Sequence, residues 1–255
     1  MPHDSDLSLP DDYILVKTHC AGFAGQNWNE TGILISRETY FERCVTPYHI
    51  VPYTNHTMRI KQVEACPYDP DLVKRVVHIM RSPLDNIVSR FHLFQRNLFD
   101  ARKVGLPNIN ATADEVFPIS ADGFRKYCSF KDKELMQSKD GTRFHEFHGA
   151  VPCLSEFFLY IQWHNSAFYA TSGAIPVLFF NYEDFGSSFN KTSRALLDFL
   201  HLEPSPRGRI DFFQAGKRYD DYYTPNEKIA IACFIDRFAS KKTKEMLRLH
   251  YTMIC

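Results

Sequence analysis

The apolar run Val76-Val77-His78-Ile79-Met80 passes through Arg81-Ser82-Pro83 straight into a segment where Leu84, Ile87, Val88, Phe91, Phe94 and Leu98 recur at helical spacing. Five residues rich in branched side chains make a strand that is buried on both faces, and a strand that feeds directly into an amphipathic helix is the βα half of a parallel sheet. Residues 13–16 (YILV) and 177–180 (VLFF) are two more strands of the same kind. Leu154, Phe157, Ile161, Asn165 and Phe168 predict a helix that ends near Ser172-Gly173, just ahead of the last of these strands. Ala195, Leu196, Phe199 and Leu200 predict a short helix stopped by Glu203-Pro204-Ser205-Pro206. Thr224-Pro225-Asn226-Glu227 combines an N-cap, a proline at the first helical position and a capping-box glutamate, followed by Ile231, Phe234, Ile235 and Phe238 on one face. The expected architecture is α/β: one three-layer domain over residues 1–255 with a mainly parallel sheet. Two long polar stretches, about 21–71 and 103–151, are expected to be irregular insertions.

Charge narrows the partners. With 30 basic and 30 acidic side chains the formal net charge is +0, which argues against a broadly cationic surface for nucleic acid, although a small basic pocket would leave the total unchanged. No apolar run approaches the ~20 residues of a membrane-spanning helix. The opening MPHDSDLSLPDDY has no basic segment followed by an apolar one, so no signal peptide is expected; the chain is cytoplasmic, or its targeting segment or membrane anchor is missing. Four Asn-x-Ser/Thr sequons, at Asn29, Asn55, Asn110 and Asn190, favour the lumen of the secretory pathway instead. The alternative for Asn190 is that it caps a helix beginning near Lys191. The seven cysteines, Cys20, Cys44, Cys66, Cys128, Cys153, Cys233 and Cys255, form no C-x-x-C pair, so structural zinc is not expected; disulfides would leave one thiol over.

Common catalytic signatures are missing. There is no G-x-G-x-x-G, no Walker-type Gly-Lys-Ser/Thr, no G-x-S-x-G and no H-E-x-x-H. His145 and His148 lie in a charged stretch without a third ligand and read as a solvated loop. Three strand ends carry chemistry instead. At Arg81-Ser82-Pro83-Leu84-Asp85-Asn86-Ile87-Val88-Ser89, backbone N–H groups at a helix N-terminus, an arginine fork and the Ser89 hydroxyl suit a phosphate, while an Arg81–Asp85 surface ion pair is the plainer reading. In YILVKTH, Lys17 and His19 alternate onto one face at the end of a strand, where a histidine can take a proton from a hydroxyl and a lysine can steady a departing phosphate; a solvated turn is the alternative. Asn181-Tyr182-Glu183-Asp184-Phe185 puts an aromatic ring and two carboxylates at the rim of the sheet, either against a nucleotide base or as a core ring beside ion-paired acids.

In this order the three segments resemble the sulfotransferase family, whose sulfuryl donor is 3′-phosphoadenosine 5′-phosphosulfate. RSPLDNIVS is similar to the family's 3′-phosphate motif, VKTH to the strand with its catalytic histidine and active-site lysine, and FFNYEDF to a late strand with a nucleotide-contacting tyrosine. The KTHCAGF to FERC insertion, VVHIMRSPLDNIVSRFHL and QWHNSAF resemble the large sulfotransferase groups of algae and invertebrates more than the compact cytosolic enzymes. The resemblance implies a fold like the P-loop nucleotide-binding proteins, with His19 as base, Lys17 on the leaving phosphate, Arg81 and Ser89 on the 3′-phosphate and Tyr182 on the adenine side. It implies a hydroxyl acceptor on a glycan or small molecule, no metal and a Golgi setting. Lys217 and Arg218, in Gln214-Ala215-Gly216-Lys217-Arg218-Tyr219-Asp220, stand near the place of the family's arginine-lysine-glycine loop without matching its register. The family's Lys/Arg-Ser-Gly-Thr-Thr loop, which cradles the 5′-phosphosulfate upstream of the KTH strand, has no counterpart here, in keeping with only 11 glycines. The expectation is a chain lacking the first P-loop strand, poorly soluble, and either a truncated sulfotransferase or a non-catalytic paralogue that binds nucleotide 3′-phosphate or a sulfated glycan.

Overall fold

A helix that is apolar on nearly every side has to lie at the centre of its fold, and the segment LSEFFLYIQWHNSAFYA is of that kind. In the computed structural model of the chain it does. The structure describes residues 20, 34–46, 48–51, 62–65, 67–103, 117–173, 175–204, 217–251 and 255, with the backbone alone for 48–51, 62–65 and 97–103. In chain order the elements are α1 (Arg37–Cys44), β1 (Tyr48–Val51), β2 (Gln62–Ala65), β3 (Val76–Met80), α2 (Pro83–Lys103), α3 (Ala121–Gln137), α4 (Leu154–Ala170), β4 (Val177–Asn181), the single turn α5 (Asp184–Ser187), α6 (Phe189–Leu200), α7 (Pro225–Phe238) and α8 (Lys241–His250). The fold is α/β and mostly helical. β1 and β2 are antiparallel, and β3 and β4 form a separate parallel pair in which Val76 lies opposite Val177 and Met80 opposite Asn181.

α1, α2, α3, α7 and α8 all pack against the central α4. The core joins Phe157, Leu154 and Ile161 of α4 to Ile87, Val88 and Phe91 of α2, Phe124, Tyr127 and Leu135 of α3, and Ile231 and Phe234 of α7. Each such side chain contributes about 2 kcal/mol by leaving water. Polar clips set the angles between helices. Asn165 of α4 donates from Nδ2 to the Phe238 carbonyl (3.0 Å), and its Oδ1 accepts from the Ser240 N–H (2.7 Å) and the Thr243 hydroxyl (2.8 Å), which pins the α7–α8 corner. Buried Glu156 meets Arg90 of α2 at 2.6 Å and accepts from the Tyr127 hydroxyl of α3 at 3.2 Å. No helix among the described residues is long and apolar enough to cross a membrane.

The sequence expectation fails in both stretches read as irregular. The 103–151 stretch contains the 17-residue helix α3, which buries Phe124, Tyr127, Cys128 and Leu135. Those residues do follow three- and four-residue spacing, but Arg125, Lys126, Lys131, Asp132, Lys133 and Glu134 between them mask the stripe. Within 21–71 lie α1, capped by Ser36 through its bond from the Thr39 N–H, and the β1–β2 pair. α8 was also missed, being mostly polar with Thr243 and Leu247 as its buried residues. Asn190 lies inside the exposed first turn of α6 rather than at its cap, which is Ser188. The strand expected at 13–16 and the sequons at Asn29, Asn55 and Asn110 lie outside the described residues.

Six cysteines form the disulfides Cys20–Cys44, Cys128–Cys153 and Cys233–Cys255. Cys66 lies outside the described residues. Beside the second disulfide, Asp132 of α3 accepts from the Leu154 N–H (3.1 Å), the Ser155 N–H (2.9 Å) and the Ser155 hydroxyl (2.9 Å), so it serves as the missing cap of α4. Burial nonetheless pushes its carboxyl up to about 6. Folding therefore favours the protonated form: the stabilising contribution is complete below pH about 4 and is lost as pH rises through about 6, an effect on the order of 2–3 kcal/mol. Denaturant unfolding at pH 4 and pH 7 should show this decline in the wild type and a smaller one in Asp132→Asn; equal declines would remove Asp132 as its source.

Candidate functional site

The parallel register of β3 and β4 brings their carboxyl ends side by side, and ligands of open parallel sheets bind beyond such ends. The ladder continues one step further, with the Tyr182 N–H donating to the Met80 carbonyl at 2.7 Å. Arg81 therefore leaves the end of β3 next to Tyr182 at the end of β4, and its guanidinium lies 4.8 Å from the centre of the Tyr182 ring. From below, the buried Tyr160 of α4 donates its hydroxyl to the Arg81 carbonyl at 2.7 Å. Pro83 occupies the first helical position of α2, and the first helical bond runs from the Asn86 N–H to the Ser82 carbonyl at 2.8 Å.

A cavity of about 840 Å³ opens at this junction. Its basic side chains are Arg81, Lys217, Arg218 and Lys228, its carboxylates are Asp85, Glu183, Asp184 and Asp220, and Tyr182, His250 and Tyr251 add rings. The carboxylates have distinct tasks. Glu183 accepts from the Ser82 N–H at 3.0 Å and from the Tyr251 hydroxyl at 2.6 Å, joining the head of α2 to the end of α8. Tyr251 is held strongly in its protonated form by burial and by that carboxylate. Asp220 meets the exposed Arg218 at 3.3 Å and the half-buried Lys228 at 3.6 Å. Asp85 is only 7% exposed, so the surface ion pair with Arg81 is not its role; its Oδ1 accepts from the Tyr219 N–H at 2.8 Å. Burial raises the Asp85 carboxyl, opposed by the Tyr219 hydrogen bond and the nearby Arg81 charge.

One face of α2 runs beneath the 217–222 segment. Asp85, Ser89, His92 and Arg96 repeat at helical spacing, and the segment is held to this stripe by the Asp85–Tyr219 bond and by His92, whose Nε2 lies 3.2 Å from the Tyr222 hydroxyl. Burial and the charges of Lys217 and Arg96 hold the His92 ring neutral to lower pH than usual.

The residues singled out in the sequence fare differently. Arg81, Tyr182, Lys217 and Arg218 line the one cavity. Ser89 is half-buried on the same face of α2 as Asp85, one turn beyond the lining. Lys17 and His19 lie outside the described residues. His145 and His148 are exposed, and among the described residues no group of three or more His, Cys, Asp or Glu side chains is placed to hold a metal ion. Sequence reasoning missed Asp85 as a ligand of the 217–219 backbone, Glu183 as a junction residue and Tyr251 altogether. The 85–89–92–96 spacing was readable as one helical face; nothing local to Tyr251 signals its reach to Glu183. In comparisons with known proteins, no family model, no curated protein and no solved structure matches the chain.

Proposed function

We propose that the cavity binds the nucleotide part of 3′-phosphoadenosine 5′-phosphosulfate and that the protein transfers its sulfuryl group to a hydroxyl of a glycan or small molecule. The observation that carries this reading is the convergence of Arg81, Tyr182, Lys217 and Arg218, drawn from separate parts of the chain, on one cavity where parallel strands end and a helix begins. The guanidinium and the ammonium are suited to a phosphate, the aromatic ring to a base, and the helix N-terminus adds its dipole. In the reaction His19 takes the acceptor proton, the acceptor oxygen bonds to sulfur as the sulfur–phosphate oxygen bond breaks, and Lys17 steadies the departing phosphate. The product is adenosine 3′,5′-bisphosphate held by Arg81, Ser89 and the 217–218 cations. Catalysis of this kind is positioning plus charge stabilisation and needs no metal.

The same reading makes β3 and β4 the inner part of a larger, mainly parallel sheet in a three-layer fold similar to the P-loop nucleotide-binding proteins. Ile79 supports it: within β3 it is 50% exposed, on the face opposite its neighbours His78 and Met80, which are buried. A secretory, Golgi-lumenal setting is supported by three disulfides and by the exposed sequon at Asn190.

Calorimetric titration with adenosine 3′,5′-bisphosphate tests the site, and Lys217→Ala should weaken binding by about fivefold to tenfold, as expected for one partly exposed phosphate cation. Sulfuryl transfer to a panel of hydroxyl acceptors should disappear in His19→Ala while nucleotide binding stays. Binding without transfer in the wild type would make the protein a non-catalytic paralogue. No binding at all would end the nucleotide reading.

A further inference from the structure

We infer that Asp85 is a positioning residue, the latch that holds the Lys217–Tyr219 segment over the head of α2 and so brings Lys217 and Arg218 into the cavity. The inference builds on the nucleotide reading and adds to it a residue that reaches the ligand only through others. A buried carboxylate beside an anion site needs a reason, because its charge opposes the ligand it helps to surround. Here Oδ1 accepts from the Tyr219 N–H at 2.8 Å, two residues after Lys217 and one after Arg218. Lys217 and Arg218 are themselves exposed, and the carboxylate that Arg218 meets is that of the exposed Asp220, so neither side chain is anchored in the core. Among the described residues their segment is tied to α2 at two points, with a further tie just beyond it where the Tyr223 hydroxyl donates to the Leu84 carbonyl at 3.1 Å. One is the Asp85 bond, and the other is the contact of His92 with the Tyr219 ring, 5.1 Å between centroids, and with the Tyr222 hydroxyl. Of these only the Asp85 bond grips the backbone between the two cations and the Asp220–Tyr222 turn. A charge-assisted bond to a main-chain N–H fixes a segment more firmly than ring contact does. Asp85 also stands close enough to Arg81 for that charge to act on its carboxyl, which sets the strand-end arginine and the 217–218 cations around one point.

The latch separates the acceptor oxygen from the charge, and two substitutions read them apart. Asp85→Asn keeps an acceptor for the Tyr219 N–H and removes the negative charge, so adenosine 3′,5′-bisphosphate should bind as tightly as in the wild type or a few-fold tighter. Asp85→Ala removes both, and its affinity should fall about fivefold below that of Asp85→Asn, the worth of one neutral hydrogen bond of about 1 kcal/mol. Amide hydrogen exchange over 217–219 should accelerate in Asp85→Ala and remain slow in Asp85→Asn. Asp85→Ser, polar but too short to reach, replaces the alanine variant if that one does not fold. Equal affinities of the asparagine and alanine variants, or unchanged exchange at 217–219 in the alanine variant, would overturn the latch. Faster exchange in the alanine variant together with no nucleotide binding in the wild type would uphold the latch and refute the nucleotide reading instead.

Discussion

Arg81→Ala is expected to weaken binding of adenosine 3′,5′-bisphosphate by about 50-fold, the largest loss from any single side chain of the cavity. The guanidinium stands at the end of β3, where the Tyr160 hydroxyl fixes its main chain from below and the Tyr182 ring flanks its side chain. An arginine pre-oriented in this way gives a bidentate contact to a phosphate, worth about 2–3 kcal/mol in a partly desolvated pocket, or roughly 30-fold to 150-fold in affinity. Arg81→Lys should recover only a part, since an ammonium supplies the charge without the planar fork. Folding is expected to change little. The bond to Tyr160 uses the main-chain carbonyl of residue 81, which the substitution leaves in place. Titration calorimetry at fixed ionic strength reads the affinity, and a dissociation constant within threefold of the wild type for Arg81→Ala would remove the arginine from the site.

Removing the Cys128–Cys153 disulfide by the double serine variant is expected to cost about 3.5 kcal/mol of stability, from the loop-closure entropy of a cross-link that spans 25 residues. Position adds to the effect. Cys153 sits at the N-cap of α4 with φ 54, a left-handed conformation that a non-glycine residue adopts at some cost, and it makes no side-chain capping bond. Its tether leads to α3, one turn from Asp132, which supplies the capping oxygens for Leu154 and Ser155. Losing the cross-link therefore loosens the start of the helix around which the others pack. For a chain of this size the thermal midpoint should fall by roughly 10 °C. Urea unfolding under non-reducing conditions gives the free energy, and a loss below about 1 kcal/mol would show that the α3–α4 packing holds this corner without the cross-link.

About half of the elements were legible in the amino-acid order. The strand Val76–Met80, its passage through Pro83 into α2, the strand starting at Val177, and α7 with its Thr224–Glu227 capping box all follow from signals within about ten residues. The observed capping box needs only the side chains of Thr224 and Glu227 and the main chain between them, so its signal is local. α3 was harder to see because its apolar positions are embedded in charges of both signs, and one of those, Asp132, is turned inward to serve another helix. A periodicity argument counts such a residue as solvated. α8 escaped for a related reason: it is held by the Asn165 clip and a small buried face rather than by a broad apolar stripe.

Arg81, Tyr182, Lys217 and Arg218 could be chosen from the sequence because each stands at a strand end or beside a capped helix, and those are properties of neighbouring residues. Their convergence on one cavity depended on the parallel pairing of β3 with β4 and on the return of the 217–222 segment across α2. The tasks of Asp85, Glu183 and Tyr251, and the pairing of the cysteines, were settled the same way. Hydrogen-bond reach is a few ångströms in space, whatever the separation along the chain, so local pattern can name a donor or an acceptor but the packed fold has to supply its partner.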